Sequence, residues 1–157
     1  MSNGTKVKKR DGRIEPLDLD KMHLMVEEAC QGLAGVSASQ VEMKSGIQFY
    51  DGITTEEIQE ILIRAASDLI DLDHPNYQFV AARLLLFALR KQLYGKMRDL
   101  PSLEDHIYSC VNAEVYDPEI YSKYSLEEIQ KADTYIDHTR DFMFTYAGLR
   151  QVADKYL

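Results

Sequence analysis

Apolar residues recur at helical spacing through most of this chain. Met22, Met25, Val26, Ala29 and Leu33 mark a first helix, with Asp18 as its N-cap and Gly32 and Gly35 bracketing its end. Ser37-Ala38-Ser39-Gln40 reads as a capping box with Val36 and Val41 as a hydrophobic staple, which predicts a short helix over 38–45. Ile47-Gln48-Phe49-Tyr50 reads as a strand, and Asp51-Gly52 as a turn. Thr54-Thr55-Glu56-Glu57 is a second capping box, stapled by Ile53 and Ile58. From it Ile58, Ile61, Leu62, Ala65, Ala66 and Leu69 continue one apolar stripe. Asp73-His74-Pro75-Asn76 separates that helix from the next, over about 76–94, which is apolar on most of its surface and therefore predicted to be the buried one.

Ahead of the first helix, Asp11-Gly12 lies between two short strand-like segments. This is the pair that a two-residue type I′ hairpin prefers, with φ > 0 at both central positions. Four helices and three short strands thus fit within the first 95 residues. Beyond them the pattern stays helical: an amphipathic stretch from Ser102 to about Ala113, a turn or short helix at Asp117-Pro118, a third capping box at Ser125-Leu126-Glu127-Glu128, and a terminal helix over 144–157.

Charge sharpens this division. Residues 1–100 carry 13 basic and 15 acidic side chains, whereas residues 101–157 carry 5 and 11. With Gly95 and Pro101, the shift marks a boundary near 95–101. Against a net charge of −8, residues 1–13 hold five basic side chains and one acidic one. Such a local reversal of sign suits an anion site, and equally a solvated, Lys-rich edge hairpin. The overall acidity argues against a nucleic-acid partner. No apolar run approaches the roughly 18 residues that span a bilayer, and the most apolar stretch, Phe79 to Leu89, is interrupted by Arg83. The basic, polar N-terminus is not a signal peptide, and Cys30 and Cys110 read as two free thiols of a cytoplasmic protein.

Catalytic chemistry is not legible. The phosphate loop G-x-x-x-x-G-K-[ST] and the dinucleotide motif G-x-G-x-x-G are both missing from the sequence. His23, His74, His106 and His138 are scattered and form no metal pair, and no nucleophile or acid–base pair presents itself. On chemistry alone the chain reads as a binding domain with no catalytic and no metal-ligating residues.

Val7-x-Lys9-Arg10-Asp11-Gly12-Arg13-x-Glu15 followed by Asp18-x-x-Lys21 resembles the ATP-cone, the allosteric nucleotide-binding domain of ribonucleotide reductase large subunits. The resemblance continues through Ser39-Gln40-Val41-Glu42, Ile47 to Ile53, and Tyr77-Gln78-x-x-Ala81-Ala82-Arg83-Leu84. Tyr135-Ile136-Asp137-His138-x-Arg140-Asp141 and Phe144-x-Tyr146-Ala147 resemble the class I large chain just before its catalytic barrel. The implied fold is mainly α: a four-helix bundle capped by a small three-stranded sheet over 1–95, then a helical extension over 96–157.

The resemblance also implies a site. Lys9 and Arg10 face a triphosphate, Glu15 and Asp18 lie by the adenine and its ribose, and Lys21 reaches phosphate. Thr55 stands at the start of the third helix, left free because Thr54 is the cap. Ile58, Gln59 and Leu62 wall the base, and Lys91 closes over the phosphates. The physics agrees, since charge-assisted hydrogen bonds from Lys and Arg are each worth roughly 1.5–3 kcal/mol. The simpler alternatives are cross-strand pairing of Glu15 with a lysine and plain solvation of Lys91. Some family members carry His at the position of Gln59 and Asn at that of Asp18, differences that bear on nucleotide discrimination. The implied ligand is ATP or dATP with Mg2+. The implied partners are the catalytic barrel of the large subunit and the radical-supplying small subunit. The reductase's active-site and redox cysteines are not in this sequence, so the chain alone is expected to be inactive. The rival readings are a stand-alone nucleotide-sensing adaptor that regulates a partner by association, and a helical interaction module with no ligand. A cone also occurs in a zinc-ribbon repressor, whose cysteine cluster this sequence lacks.

Overall fold

The computed structural model describes residues 4–156. The chain divides into two compact units, one formed by residues 1–89 with 142–157 and the other by residues 90–141. The terminal helix, which the sequence assigns to the extension, therefore groups with the first 89 residues.

In the first unit, β1 (Lys6–Lys8) is the central strand of a three-stranded mixed sheet. It pairs antiparallel with β2 (Ile14–Pro16), Val7 opposite Glu15, and parallel with β3 (Ile53–Thr54), Val7 opposite Ile53. Val7 and Ile53 are both buried and anchor the sheet to the helices.

The hairpin differs from its expected type. Lys9 N–H donates to the Arg13 carbonyl at 2.8 Å and Gly12 N–H to the Lys9 carbonyl at 2.9 Å, so the loop has three residues, Arg10 to Gly12. Gly12 has φ +86°, whereas Asp11 is not in the left-handed region. This is a turn closed by one left-handed glycine with a bulge, a three-residue alternative to the type I′ turn. Asp11 is instead held by its own side chain, which accepts from Arg13 N–H at 3.1 Å and from Arg13 Nε at 2.7 Å.

The strand expected at Ile47–Tyr50 does not form. Gln48 N–H and Phe49 N–H bond back to the carbonyls of Ser45 and Gly46, extending the end of a helix as turns. Ile47 is 89% exposed and gains nothing from a sheet. The third strand begins only after Gly52, whose φ of +88° turns the chain so that its N–H reaches the Lys6 carbonyl at 2.9 Å.

The helices follow their local signals. Asp18 caps α1 (Leu19–Cys30), accepting from Lys21 N–H at 2.9 Å. Ser37 caps α2 (Ala38–Gly46). The expected box at Ser37 is completed by a distant residue: Ser37 N–H donates to the Tyr77 hydroxyl, which donates to Gln40 Oε1, each at 3.0 Å. Thr54 and Glu57 form the full box that starts α3 (Thr55–Ser67). Then α4 (Tyr77–Tyr94) supplies the largest share of the core, burying Tyr77, Val80, Leu84, Leu85 and Phe87 among others. Each such side chain contributes roughly 1.5–3 kcal/mol of burial. Arg83, which breaks the apolar run, donates to the carbonyls of Ala29 and Gln31 and so closes the C-terminal end of α1. The last helix, α8 (Tyr146–Tyr156), buries Leu149, and Arg150 lies 3.5 Å from Glu60. Leu157, the final residue of the predicted terminal helix, lies outside the described residues.

In the second unit, α5 (Leu103–Asn112) starts at Ser102 and α7 (Leu126–Asp133) at the Ser125–Glu128 box. A short α6 (Ile120–Lys123) separates them. Leu103 N–H donates to Asp133 Oδ1 at 2.8 Å, and Ile107 and Ile129 are buried. Arg90 donates to Asp141 Oδ2 at 2.8 Å and to the His138 carbonyl at 3.3 Å.

Candidate functional site

The β1–β2 hairpin carries three of the six charged candidates, Lys9, Arg10 and Glu15. Lys9 Nζ lies 3.4 Å from Glu15 Oε2, and Arg13 NH1 donates to Glu15 Oε1 at 2.7 Å. Glu15 thus pairs across the hairpin with a lysine, as the simpler alternative expected, and with Arg13 as well. Arg13 holds the Asp11 carboxyl below its ordinary range. Asp18 is engaged as the cap of α1, and one turn on, the Lys21 side chain is exposed and makes no ion pair among the described residues.

Arg10 joins the hairpin to α3. Its Nε donates to Glu56 Oε1 and its NH2 to Gln59 Oε1 at 3.4 Å. Thr55 was expected to be free. Its hydroxyl instead donates to the adjacent Glu56 Oε2 at 3.1 Å. Partial burial pushes the Glu56 carboxyl up, but its own backbone N–H, Arg10 and Thr55 outweigh this and hold it below the ordinary range. Glu57 is fully committed: Thr54 N–H, the Thr54 hydroxyl and the Tyr50 hydroxyl all donate to it.

Nine of the ten candidates lie in the first unit; Lys91 stands, half-buried, in the last turn of α4, in the second. Lys9 and Glu15 meet, as do Asp18 and Lys21, and Arg10 meets Gln59 directly. Ile58 is 6% exposed and Leu62 fully buried, so the packing of α3 directs them into the core. Gln59, on the same helix, is 8% exposed yet presents its carbonyl oxygen to Arg10. A separate groove of about 720 Å³ has Leu17, Met22, His23, Glu42, Met43 and Phe49 in its lining and touches none of the ten.

Glu56 is the residue that sequence reasoning passed over. The capping box drew attention to Glu57, although Glu56 lies three residues before Gln59 on the same helical face. Its proximity to Arg10, 46 residues earlier, had no local signal.

Chemically this is a set of cations, a hydroxyl and a helix N-terminus, which together suit an anionic ligand. No group of three or more His, Cys, Asp or Glu that could hold a metal ion occurs among the described residues. None of the helices is long and apolar enough to cross a membrane, again among the described residues.

Along its whole length the chain is 48% identical to ribonucleoside-diphosphate reductase 1 subunit alpha of Escherichia coli and 48% identical to the subunit alpha of Haemophilus influenzae. It is 44% identical over 95% of its length to the corresponding subunit of Enterobacteria phage T4. The chain spans about a fifth of the length of these relatives, matching their N-terminal region. Residues 5–92 match the ATP cone domain, and the chain therefore belongs to the ATP-cone family.

Proposed function

We propose that residues 1–95 bind ATP or dATP as an allosteric effector. The chain would then serve as the regulatory N-terminal part of a ribonucleoside-diphosphate reductase large subunit, with 96–157 leading toward the catalytic barrel. Its partners are that barrel and the radical-supplying small subunit, in the cytoplasm. The observation that carries this reading is the similarity to reductase alpha subunits along the entire chain, together with the cone match over 5–92.

The residues fit the ligand. Lys9 and Arg10 are held by side chains at the surface, and phosphate oxygens can replace those partners as acceptors. Lys21 adds an exposed ammonium one turn into α1. Release of Lys9 leaves Glu15 available to accept from the adenine amine or a ribose hydroxyl. Mg2+, when bound with the nucleotide, supplies charge neutralisation between the phosphates. The effector's binding free energy would bias the intact reductase between more and less active forms.

Calorimetry of the 157-residue chain with Mg–ATP and Mg–dATP tests the reading. The expected affinity is micromolar, roughly −6 to −8 kcal/mol. Lys9→Ala is expected to weaken it about 10- to 100-fold, the loss of one charge-assisted bond. Absence of heat at about 1 mM nucleotide, a concentration that reveals affinities down to roughly −4 kcal/mol, would overturn the reading.

A further inference from the structure

Two of the proposed nucleotide residues, Arg10 and Thr55, converge on a single carboxylate. Glu56, second residue of α3, accepts from Arg10 Nε with one oxygen and from the Thr55 hydroxyl, at 3.1 Å, with the other. The same guanidinium reaches Gln59 with its NH2. A guanidinium, a hydroxyl and the first turn of a helix form the donor set that a phosphate oxygen takes. Here a carboxylate already takes the guanidinium and the hydroxyl. Glu57 cannot exchange for Glu56 in this role, because the capping box and Tyr50 hold both of its oxygens.

We propose that Glu56 is a built-in competitor of the effector's phosphates: it occupies Arg10 and Thr55, and a bound triphosphate must displace it. The proposal rests on the reading of residues 5–92 as a nucleotide-binding domain. Its physical basis is twofold. Arg10 cannot give the same Nε–H to both acceptors, and a carboxylate left beside a polyphosphate repels it. The Glu56 side chain is half-exposed, so it can swing into water without stranding a buried charge. Glu56 thereby lowers affinity without contacting the base. Its influence is the same for any ligand that carries the phosphates, whatever its sugar.

The test compares wild type, Glu56→Gln, Arg10→Ala and the double variant by calorimetry, using Mg–ATP, Mg–dATP and inorganic tripolyphosphate. Glu56→Gln keeps the shape of the side chain and a weaker acceptor while removing its charge. It is expected to bind all three ligands about two- to fivefold more tightly, the range of one exposed ion pair removed from the competition. In the Arg10→Ala background the same change is expected to gain less than in wild type, since only the Thr55 hydroxyl and the charge repulsion are left to relieve. Glu56→Ser, which keeps a helix-start residue at the position, is expected to shift affinity in the same direction. Unchanged or weaker binding by Glu56→Gln, with normal binding by wild type, overturns the proposal; weaker binding would mean that Glu56 positions Arg10 for the ligand. A gain seen with ATP but not with tripolyphosphate also overturns it. Absence of binding by wild type overturns the nucleotide reading, and this proposal with it.

Discussion

Residues 1–89 and residues 90–141 both expose large apolar side chains but differ in how many they bury. In the first set Val26, Val41, Ile53, Leu62, Ile63, Val80 and Phe87 are essentially sealed from water. In the second only Ile107 and Ile129 are buried apolar residues, while Tyr108, Val115, Tyr116, Tyr121, Tyr124, Leu126, Tyr135 and Ile136 stand exposed. Yet the second region has equally good local signals: the Ser102 cap, the complete Ser125–Glu128 box and two amphipathic helices. Correct capping fixes where a helix starts, but it does not supply a core. Tertiary packing must supply it, because a short helix is marginal in isolation. Nine of the ten candidate residues belong to the well-packed region, where the sheet and α3 hold Arg10 within hydrogen-bonding reach of Gln59 and Glu56.

The sharpest way to break this contrast is to cut into both cores. Leu62→Ala removes a fully buried side chain and is expected to cost about 2–5 kcal/mol. Ile129→Ala removes a side chain whose buried apolar companion in residues 90–141 is Ile107, and it is expected to cost less, about 1–2 kcal/mol, because the site can collapse or rehydrate. Denaturant melts of the two variants give the comparison. Equal costs would mean that residues 90–141 pack as tightly as the cone.

Ligand-dependent protection sharpens the contrast further. At a hundredfold excess over Kd, nucleotide is expected to stabilise the folded region that binds it by about 2.7 kcal/mol. Hydrogen exchange is therefore expected to slow with Mg–ATP in β1, α1 and α3, and to change little in α5 and α7. Uniform slowing along the whole chain would show that the two regions open as one cooperative unit.

Much of the first region was legible because its signals are local. Asp18, and Thr54 with Glu57, act within three or four residues, and each caps the helix it was expected to cap, as Ser125 with Glu128 does in the second region. The helices followed, whereas the third strand forms at Ile53–Thr54 rather than at Ile47–Tyr50. What escaped depends on distant partners or on competition between local choices. Tyr77 completes the Ser37 box from 40 residues away. Ile47 to Tyr50 have strand-like residues, but the preceding helix keeps their amides as turns and no core face awaits Ile47. In the hairpin, Asp11 satisfies itself on Arg13 and leaves a single left-handed position to Gly12. Within the candidate site the family pattern pointed to Arg10, Thr55 and Gln59. It was silent on Glu56, which meets Arg10 only after β1 and α3 are placed together. Ile58 and Leu62 were legible as one helical face, and the structure turns that face inward.

The smallest expected effect is a pH dependence confined to the well-packed region. His23 of α1 places Nδ1 2.8 Å from Glu42 Oε1 of α2 and Nε2 3.2 Å from Glu27 Oε1 of its own helix. With a carboxylate at each ring nitrogen, the doubly protonated imidazolium satisfies both. The hydrogen bond to Glu42 is the main cause that raises the His23 pKa, and the charges of Glu42 and Glu27 add to it against some desolvation. Because the folded value lies above the unfolded one, the bridge contributes fully below the unfolded pKa of roughly 6.5 and fades as pH rises through the folded value. His23→Gln is therefore expected to lower Tm more at about pH 6 than at about pH 8.5, since the charged bridge fades as pH rises through the folded value. Thermal melts of both proteins at the two pH values decide it. A deficit that is the same at both would mean that a neutral imidazole hydrogen bond, rather than a charged bridge, joins α1 to α2.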